Sequence, residues 1–332
     1  MKMAMTKFMY MMIFCLSTSI EATEMWRSML DSIDSIMDIT EMSDTQDCSS
    51  VRFYVSSRSN NYKTVQVWTG DWRSLSFAGL DRDERIVVLV HGFSNNHSSP
   101  AMETLKEGIR GRSISYIGVD WSDIAITVNY PFVASKVRAI GYCLADFLYF
   151  LISETAIRLN NLHLVGHSLG AHVSGFAGKT LKANGFTAAR VTGLDPALPG
   201  FNGDDDSSRL ASTDGKFVDC IHTCGGLLGF DVPICQADFF PNGGINVQPG
   251  CDWFDFGACS HGRSFEFFAE SINPTHHFYS EACNAVVDGT PYGCVNDGAE
   301  MGFFAKPQNL GEFYLTTRSS SPFSTNITSS SD

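Results

Sequence analysis

The chain has 332 residues, of which 44% are hydrophobic and 18% charged, a size and balance that suit one large α/β domain better than two full ones. Its formal net charge is −13 and no Lys/Arg run is present, which excludes the phosphate-backbone attraction on which nucleic-acid binding rests. Ten cysteines argue against the reducing cytosol, where thiols stay unpaired.

In chain order, Lys2 and Lys7 lead into an apolar stretch from Phe8 to Leu16, followed by small residues through Ser17, Thr18, Ser19 and Ala22. That pattern predicts a secretory signal peptide over residues 1–22, cut near Ala22 or Ser19, and it is too short to span a bilayer. Because no later stretch approaches the roughly 18 apolar residues of a membrane span, the mature chain is expected outside the cell with no transmembrane anchor. Residues 23–47 form an extension in which Leu30, Ile33, Ile36 and Met37 suit an amphipathic helix; a pro-segment, a docking helix and disorder all remain open. Strands are predicted at Val51 to Val55, Thr64 to Trp68, Arg85 to Val90 and Ser115 to Asp120, then a helix over Ala134 to Ile157. A short buried strand, Leu162 to Val165, precedes a small-residue helix from Ser168, and Arg190 to Leu194 and Phe217 to Ile221 read as two more strands. Strands alternating with helices imply a mostly parallel sheet covered on both faces. The Ser/Thr-rich end, 319–332, reads as a disordered tail behind a catalytic domain over 48–318.

Cys15 leaves with the signal peptide, so an odd number of cysteines remains and at least one thiol must be free or intermolecular. The spacing of Cys220, Cys224, Cys235 and Cys251 lacks the repeated Cys-x-x-Cys clips of a structural zinc site. Asn96-His97-Ser98 and Asn326-Ile327-Thr328 are candidate N-glycan acceptors.

The chemical signal is Gly166-His167-Ser168-Leu169-Gly170, set directly between a strand and a helix. So tight a turn needs small flanking residues, which glycines 166 and 170 supply, and it holds the serine at a helix N-terminus where N–H groups face developing negative charge. A serine hydroxyl needs a base, and a histidine serves as one when a carboxylate fixes its tautomer. Asp195, at the end of the strand after the elbow, stands where an orienting acid belongs. Among the four later histidines, His261 and His222 compete on position alone, with His276 and His277 farther along. Val90-His91-Gly92-Phe93 ends an early strand in a glycine turn that can aim a backbone N–H at the site.

These residues resemble the animal pancreatic lipase family, especially its insect members and wasp-venom phospholipases A1. The resemblance runs from Val51 to Thr317 and is carried by Val90-His91-Gly92-Phe93, Gly166-His167-Ser168-Leu169-Gly170-Ala171-His172 and Gly193-Leu194-Asp195-Pro196-Ala197. Ile221-His222-Thr223, Asp238-Phe239-Phe240-Pro241-Asn242-Gly243-Gly244 and Cys259-Ser260-His261 complete it. It implies a single catalytic domain of the α/β-hydrolase fold, with Ser168, Asp195 and His261 as triad, the amides of Phe93 and Leu169 as oxyanion hole, and His222 as structural.

Three departures from the family pattern shape the expected function. The family's digestive lipases carry a further C-terminal β-sandwich domain for which this chain leaves no room, so lipid is expected to meet the catalytic domain alone. Cys251 and Cys259 bracket only Asp252 to Ala258, too short a lid to fold over an acyl cleft, and the loop from Cys224 to Ile234 is short as well. Both shortenings resemble the phospholipases A1 and some galactolipases. The family's calcium pattern finds Asp206, Arg209 and Asp214, but Ala211 stands where another acid is expected, which weakens a hard-cation site. No cofactor is expected. The resemblance also implies disulfides Cys251–Cys259 and Cys283–Cys294; Cys224–Cys235 would staple the short loop, leaving one bond and one free thiol among Cys48, Cys143 and Cys220. Trp253, Phe254 and Phe256, with Leu227, Leu228 and Phe230 opposite, are candidates for peripheral lipid contact, against the alternative of core burial. The expected activity is sn-1 hydrolysis of phospholipids through an acyl-enzyme, with triacylglycerol lipase or galactolipase as alternatives. A catalytically silent, yolk-protein-like lipid binder conflicts with the intact serine, acid, histidine and elbow glycines.

Overall fold

In the computed structural model the described residues are 47–154, 156–203 and 205–327. The predicted signal peptide, nearly all of the N-terminal extension and the last five residues lie outside them. Fourteen strands are formed among the described residues: β1 (Arg52–Ser56), β2 (Val65–Val67), β3 (Ile86–Val90), β4 (Ser115–Asp120), β5 (Leu162–His167), β6 (Arg190–Leu194), β7 (Phe217–Ile221), β8 (Ala237–Pro241), β9 (His276–His277), β10 (Glu281–Cys283), β11 (Ala285–Val287), β12 (Thr290–Tyr292), β13 (Gly311–Leu315) and β14 (Asn326–Ile327). The helices are α1 (Trp72–Ala78), α2 (Pro100–Gly111), α3 (Ser122–Ala125), α4 (Tyr130–Ser153), α5 (Leu169–Ala183) and α6 (Ala258–Ser271).

Ten strands make one sheet in the order β10-β13-β8-β7-β6-β5-β3-β4-β1-β2. From β13 to β4 every pairing is parallel, while β1, β2 and β10 add antiparallel edges. The mostly parallel α/β architecture read from the sequence is therefore what forms. Its strands are buried on both faces, so β3 runs as the unbroken apolar Ile86–Val90. Ile86, Val88 and Val90 join a core with α4 and α5, whereas Val87 and Leu89 join a second core with Met102 and Leu105 of α2 and Phe267 and Phe268 of α6. The two-residue period of a strand thus divides one run between two helical layers. Chain order reverses around β3 and β5, and in such sheets the crevice outside the carboxyl ends of the strands at that reversal receives ligands. Residues 91–93, 168, 195 and 222 all follow strands that end there.

Two sequence expectations need correction. Residues 319–327 are ordered instead of belonging to a disordered tail: Phe323 is buried against Phe267, Glu270 accepts from the Phe323 and Ser324 amides, and β14 pairs with β9. The Cys224–Cys235 bond is not formed either. Pairing of β7 with β8 sets Cys220 opposite Asp238, and Cys235, just before β8 and donating to the Asp238 carboxylate, closes onto Cys220. Cys48–Cys143, Cys251–Cys259 and Cys283–Cys294 are the other bonds among the described residues, so the unpaired thiol is Cys224. Burial pushes that thiol above its usual range, away from the reactive thiolate.

Candidate active site

Strand β5 stops at His167 and helix α5 starts at Leu169, so Ser168 alone makes the turn, at φ 58° and ψ −124°. A left-handed φ is costly for a residue with a Cβ, and its neighbours over-determine it. The Ser168 amide donates to Leu194 O at 3.0 Å. A Cβ on Gly166 would stand 2.0 Å from Gly170 O, and one on Gly170 would stand 2.3 Å from Val90 O, so neither position admits a side chain.

Asp195 follows β6, also with positive φ, and its side chain is fully buried. One carboxylate oxygen accepts from the amides of Thr223 (2.7 Å) and Cys224 (3.1 Å), while the other accepts from His261 Nδ1 at 2.5 Å. Gly229 packs its bare Cα against this carboxylate, since a Cβ there would come within 2.4 Å of Oδ1. With Nδ1 donating, the neutral His261 ring keeps its lone pair on Nε2, the form a general base requires. His261 lies in the first turn of α6. Asp255 sets that helix start by accepting from the Gly257 and Cys259 amides, a cap hidden among the aromatics of the preceding segment. His167, next to Ser168, donates from Nε2 to His261 O at 3.1 Å, and the two rings lie 4.5 Å apart.

The turn after β3 completes the constellation. A Cβ on Gly92 would stand 3.2 Å from Ser168 Oγ, so the Gly92–Phe93 backbone lies against the hydroxyl. His91 holds this turn: its Nδ1 donates to Gly92 O, its Nε2 accepts from the Trp121 amide, and Trp121 Nε1 donates to His91 O. The Phe93 ring meets the edge of Tyr130, whose hydroxyl donates to Pro199 O. Leu169, as the first residue of α5, has an amide with no acceptor inside its own helix. Histidine, carboxylate, strand-end serine and amide-rich turns can together carry out acyl transfer.

The sequence profile of the family described as Lipase matches residues 25–323. The chain belongs to the lipase family. Similar proteins include pancreatic triacylglycerol lipase of Mus musculus, 34% identical over 305 residues covering 81% of this chain and 63% of that protein. The Homo sapiens pancreatic triacylglycerol lipase is 33% identical with the same coverage, and lipase member H of Oryctolagus cuniculus is 32% identical over 80% of this chain and 57% of its own length. The chain thus spans less than two thirds of the curated relatives it matches. Among solved structures, Est1E from Butyrivibrio proteoclasticus is similar at 11% identity and a TM-score of 0.27, covering 45% of this chain and 49% of that one.

His222 is buried with both ring nitrogens engaged, on Asp238 Oδ1 and Phe230 O, and so has none to offer a substrate. His276 and His277 face Glu270 and Glu300. The residues of the calcium pattern do not fit an ion: both Asp214 oxygens and the Arg209 carbonyl are taken by Lys179, and Asp206 pairs with the Arg209 guanidinium. Among the described residues, the one cluster of three potential metal ligands is Cys220, Cys235 and Asp238, and its sulfurs are bonded to each other. Trp253, Phe254 and Phe256 are exposed at 65%, 72% and 47%, Leu227 and Leu228 are half-buried, and Phe230 belongs to the core beside His172. Sequence reading missed a second exposed apolar rim at Ile126, Val128 and Phe132, which adjoins the Phe93 turn through Ser94 N to Ala125 O. Asn96 is half-buried and accepts from the Ser98 amide, while Asn326 is exposed on β14.

Buried histidines make the fold acid-sensitive. Desolvation lowers His91 to about 4 and His167 and His172 to about 3, from an ordinary 6.5. Between about 6.5 and 4 the unfolded chain therefore binds more protons than the folded one, so this stability is present above about 6.5 and lost as pH falls toward 4. Asp214, pushed up to about 6 by burial, runs the opposite way, one group against these three and His163, which burial also lowers. Calorimetry is expected to show Tm falling by roughly 10 °C between pH 7 and pH 5.

Proposed function

We propose that this chain is a secreted serine hydrolase of lipid esters that cleaves the sn-1 acyl bond of phospholipids. The observation that carries the chemistry is the Asp195–His261 hydrogen bond of 2.5 Å, formed beside the Ser168 elbow by groups from separate elements of the fold. Ser168 Oγ attacks the ester carbonyl as His261 Nε2 takes its proton, and the amides of Phe93 and Leu169 receive the oxyanion. His261 then passes the proton to the departing lysolipid oxygen, the C–O bond breaks, and the acyl group stays on Ser168. Water, deprotonated by the same histidine, releases the fatty acid and restores the serine. Asp195 orients the imidazole and stabilises its protonated form.

Phospholipid preference is inferred from the short segment between Cys251 and Cys259, too few residues to fold over an acyl cleft and exclude a polar head group. The names of the pancreatic relatives favour triacylglycerol hydrolysis as the second reading. Secretion is supported by four disulfides, which persist in oxidising compartments. No helix among the described residues is long and apolar enough to cross a membrane, so contact with lipid is proposed to be peripheral. The deciding experiment offers the purified protein phosphatidylcholine labelled separately in each acyl chain, beside triolein and a galactolipid. Release of the sn-1 chain without triolein cleavage is expected; triolein turnover with little phospholipid cleavage would assign the lipase instead.

The exposed aromatics between Cys251 and Cys259 supply a separate prediction. Trp253→Ala with Phe254→Ala is expected to weaken binding to phosphatidylcholine vesicles at least tenfold, from the apolar area lost at the membrane boundary. Sedimentation with vesicles measures it, and hydrolysis of a dissolved short-chain ester should change less than threefold; equal losses in both assays would mean that these rings shape the site itself.

A further inference from the structure

Lys179 lies on the face of α5 that carries His172 and Gly175, the face turned toward the loop between β6 and β7. Its ammonium donates to Arg209 O at 2.8 Å and to both oxygens of Asp214 at 2.6 Å, which uses all three of its protons. Asp214 is fully buried and Lys179 mostly so. The second Asp214 oxygen also accepts from the Ala211 amide at 2.9 Å, at the position where the family pattern expects another acid. Arg209 turns its guanidinium onto Asp206 at 2.8 Å, so two basic groups answer two acids. A divalent ion needs six or more oxygen ligands, whereas here a carboxylate and a carbonyl converge on a point already held by a positive nitrogen.

We propose that Lys179 is the built-in cation of this cradle, performing with its ammonium the structural work that the family pattern gives to calcium. The cradle needs positive charge because a buried carboxylate without a partner is strongly destabilising. Packing makes the need acute: a Cβ on Gly178 would stand 2.1 Å from Asp214 O and one on Gly175 would stand 2.8 Å from Asp214 Oδ2, so helix and loop are in direct contact. The same contact holds the helix that begins at Leu169 against the chain leaving Asp195, and His172 Nδ1 reinforces it by accepting from the Leu210 amide at 3.0 Å. The ammonium therefore clamps the elbow helix to the acid-bearing segment, and no ion is required for it.

Thermal unfolding of the purified protein tests this without reference to ester hydrolysis. Wild-type Tm is expected to be the same in EGTA and in millimolar calcium chloride, and a calorimetric calcium titration is expected to show no binding. Lys179→Met is expected to lower Tm in EGTA by roughly 5 °C or more, and calcium chloride is expected to recover little of the loss, because removing the ammonium adds no oxygen ligand. A wild-type Tm that falls on chelation, calcium binding to the wild type, or a Lys179→Met protein as stable as wild type in EGTA would each overturn the proposal. If Lys179→Met does not fold, Lys179→Gln replaces it, and the wild-type arms still decide the question of a bound metal.

Discussion

Replacing Ser168 by alanine is expected to reduce kcat on a dissolved short-chain ester by about 10⁶-fold, the scale seen when a hydrolase triad loses its nucleophile. The residue whose hydroxyl is removed is held by its backbone. Its amide bonds to Leu194 O, its strained φ is enforced by glycines 166 and 170, and its Cβ survives the change. Tm should therefore stay within about 2 °C of wild type, since no buried partner is left unpaired. Vesicle binding should persist as well, because the exposed aromatics Trp253, Phe254 and Phe256 are untouched by the change. Residual catalysis would come from the amides of Phe93 and Leu169, which donors of this kind retain when the attacking group is gone. Titration of ester cleavage against active-site occupancy measures the effect; activity within tenfold of wild type would remove Ser168 from the mechanism and with it the acyl-enzyme.

The elbow was legible in the sequence because its demands are local. Gly166 and Gly170 are forced by atoms within a few residues or on the adjacent strand, and a strand, a serine and a helix follow one another without interruption. Asp195 was legible for a similar reason, standing at the end of the next strand. His261 was favoured by chain order and separated from His222 by family resemblance, because its helix begins behind an aspartate cap among Trp253, Phe254 and Phe256, where no hydrophobic period announces it. Helix α4 likewise starts a turn earlier than its apolar period, at the Asn129 cap and Pro131. Cysteine pairing was misread because it depends on which residues face each other across β7 and β8, and spacing along the chain carries no register. The tail was misread because one aromatic, Phe323, anchors a polar stretch whose amides find Glu270 on a helix some fifty residues earlier in the chain. Lys179 shows the same limit: the acids of its cradle were found by pattern, but the base that fills it arrives from another element.

Asp195→Asn should cost about 10⁴-fold in kcat, roughly a hundredfold less than losing the serine, with little change in structure. In the wild type the two carboxylate oxygens have different duties, one accepting from the Thr223 and Cys224 amides and the other from His261 Nδ1. An asparagine can satisfy both backbone amides only with its carbonyl oxygen, which leaves its NH2 group facing the imidazole. A donor in that position can bond only to an unprotonated Nδ1, so the ring proton moves to Nε2, and the nitrogen meant to accept the serine proton already holds one. The opposite flip would present NH2 to two buried amide donors and leave them unpaired at roughly 1–3 kcal/mol each, so the asparagine settles in the inactive orientation. The loss should therefore be of kcat more than of KM, since the groups that contact substrate are untouched. It should also shrink as pH rises and hydroxide attacks without help from the base. Kinetics of the variant across pH measure both features, and a variant with wild-type kcat near neutrality would mean that His261 takes its orientation from elsewhere in the fold.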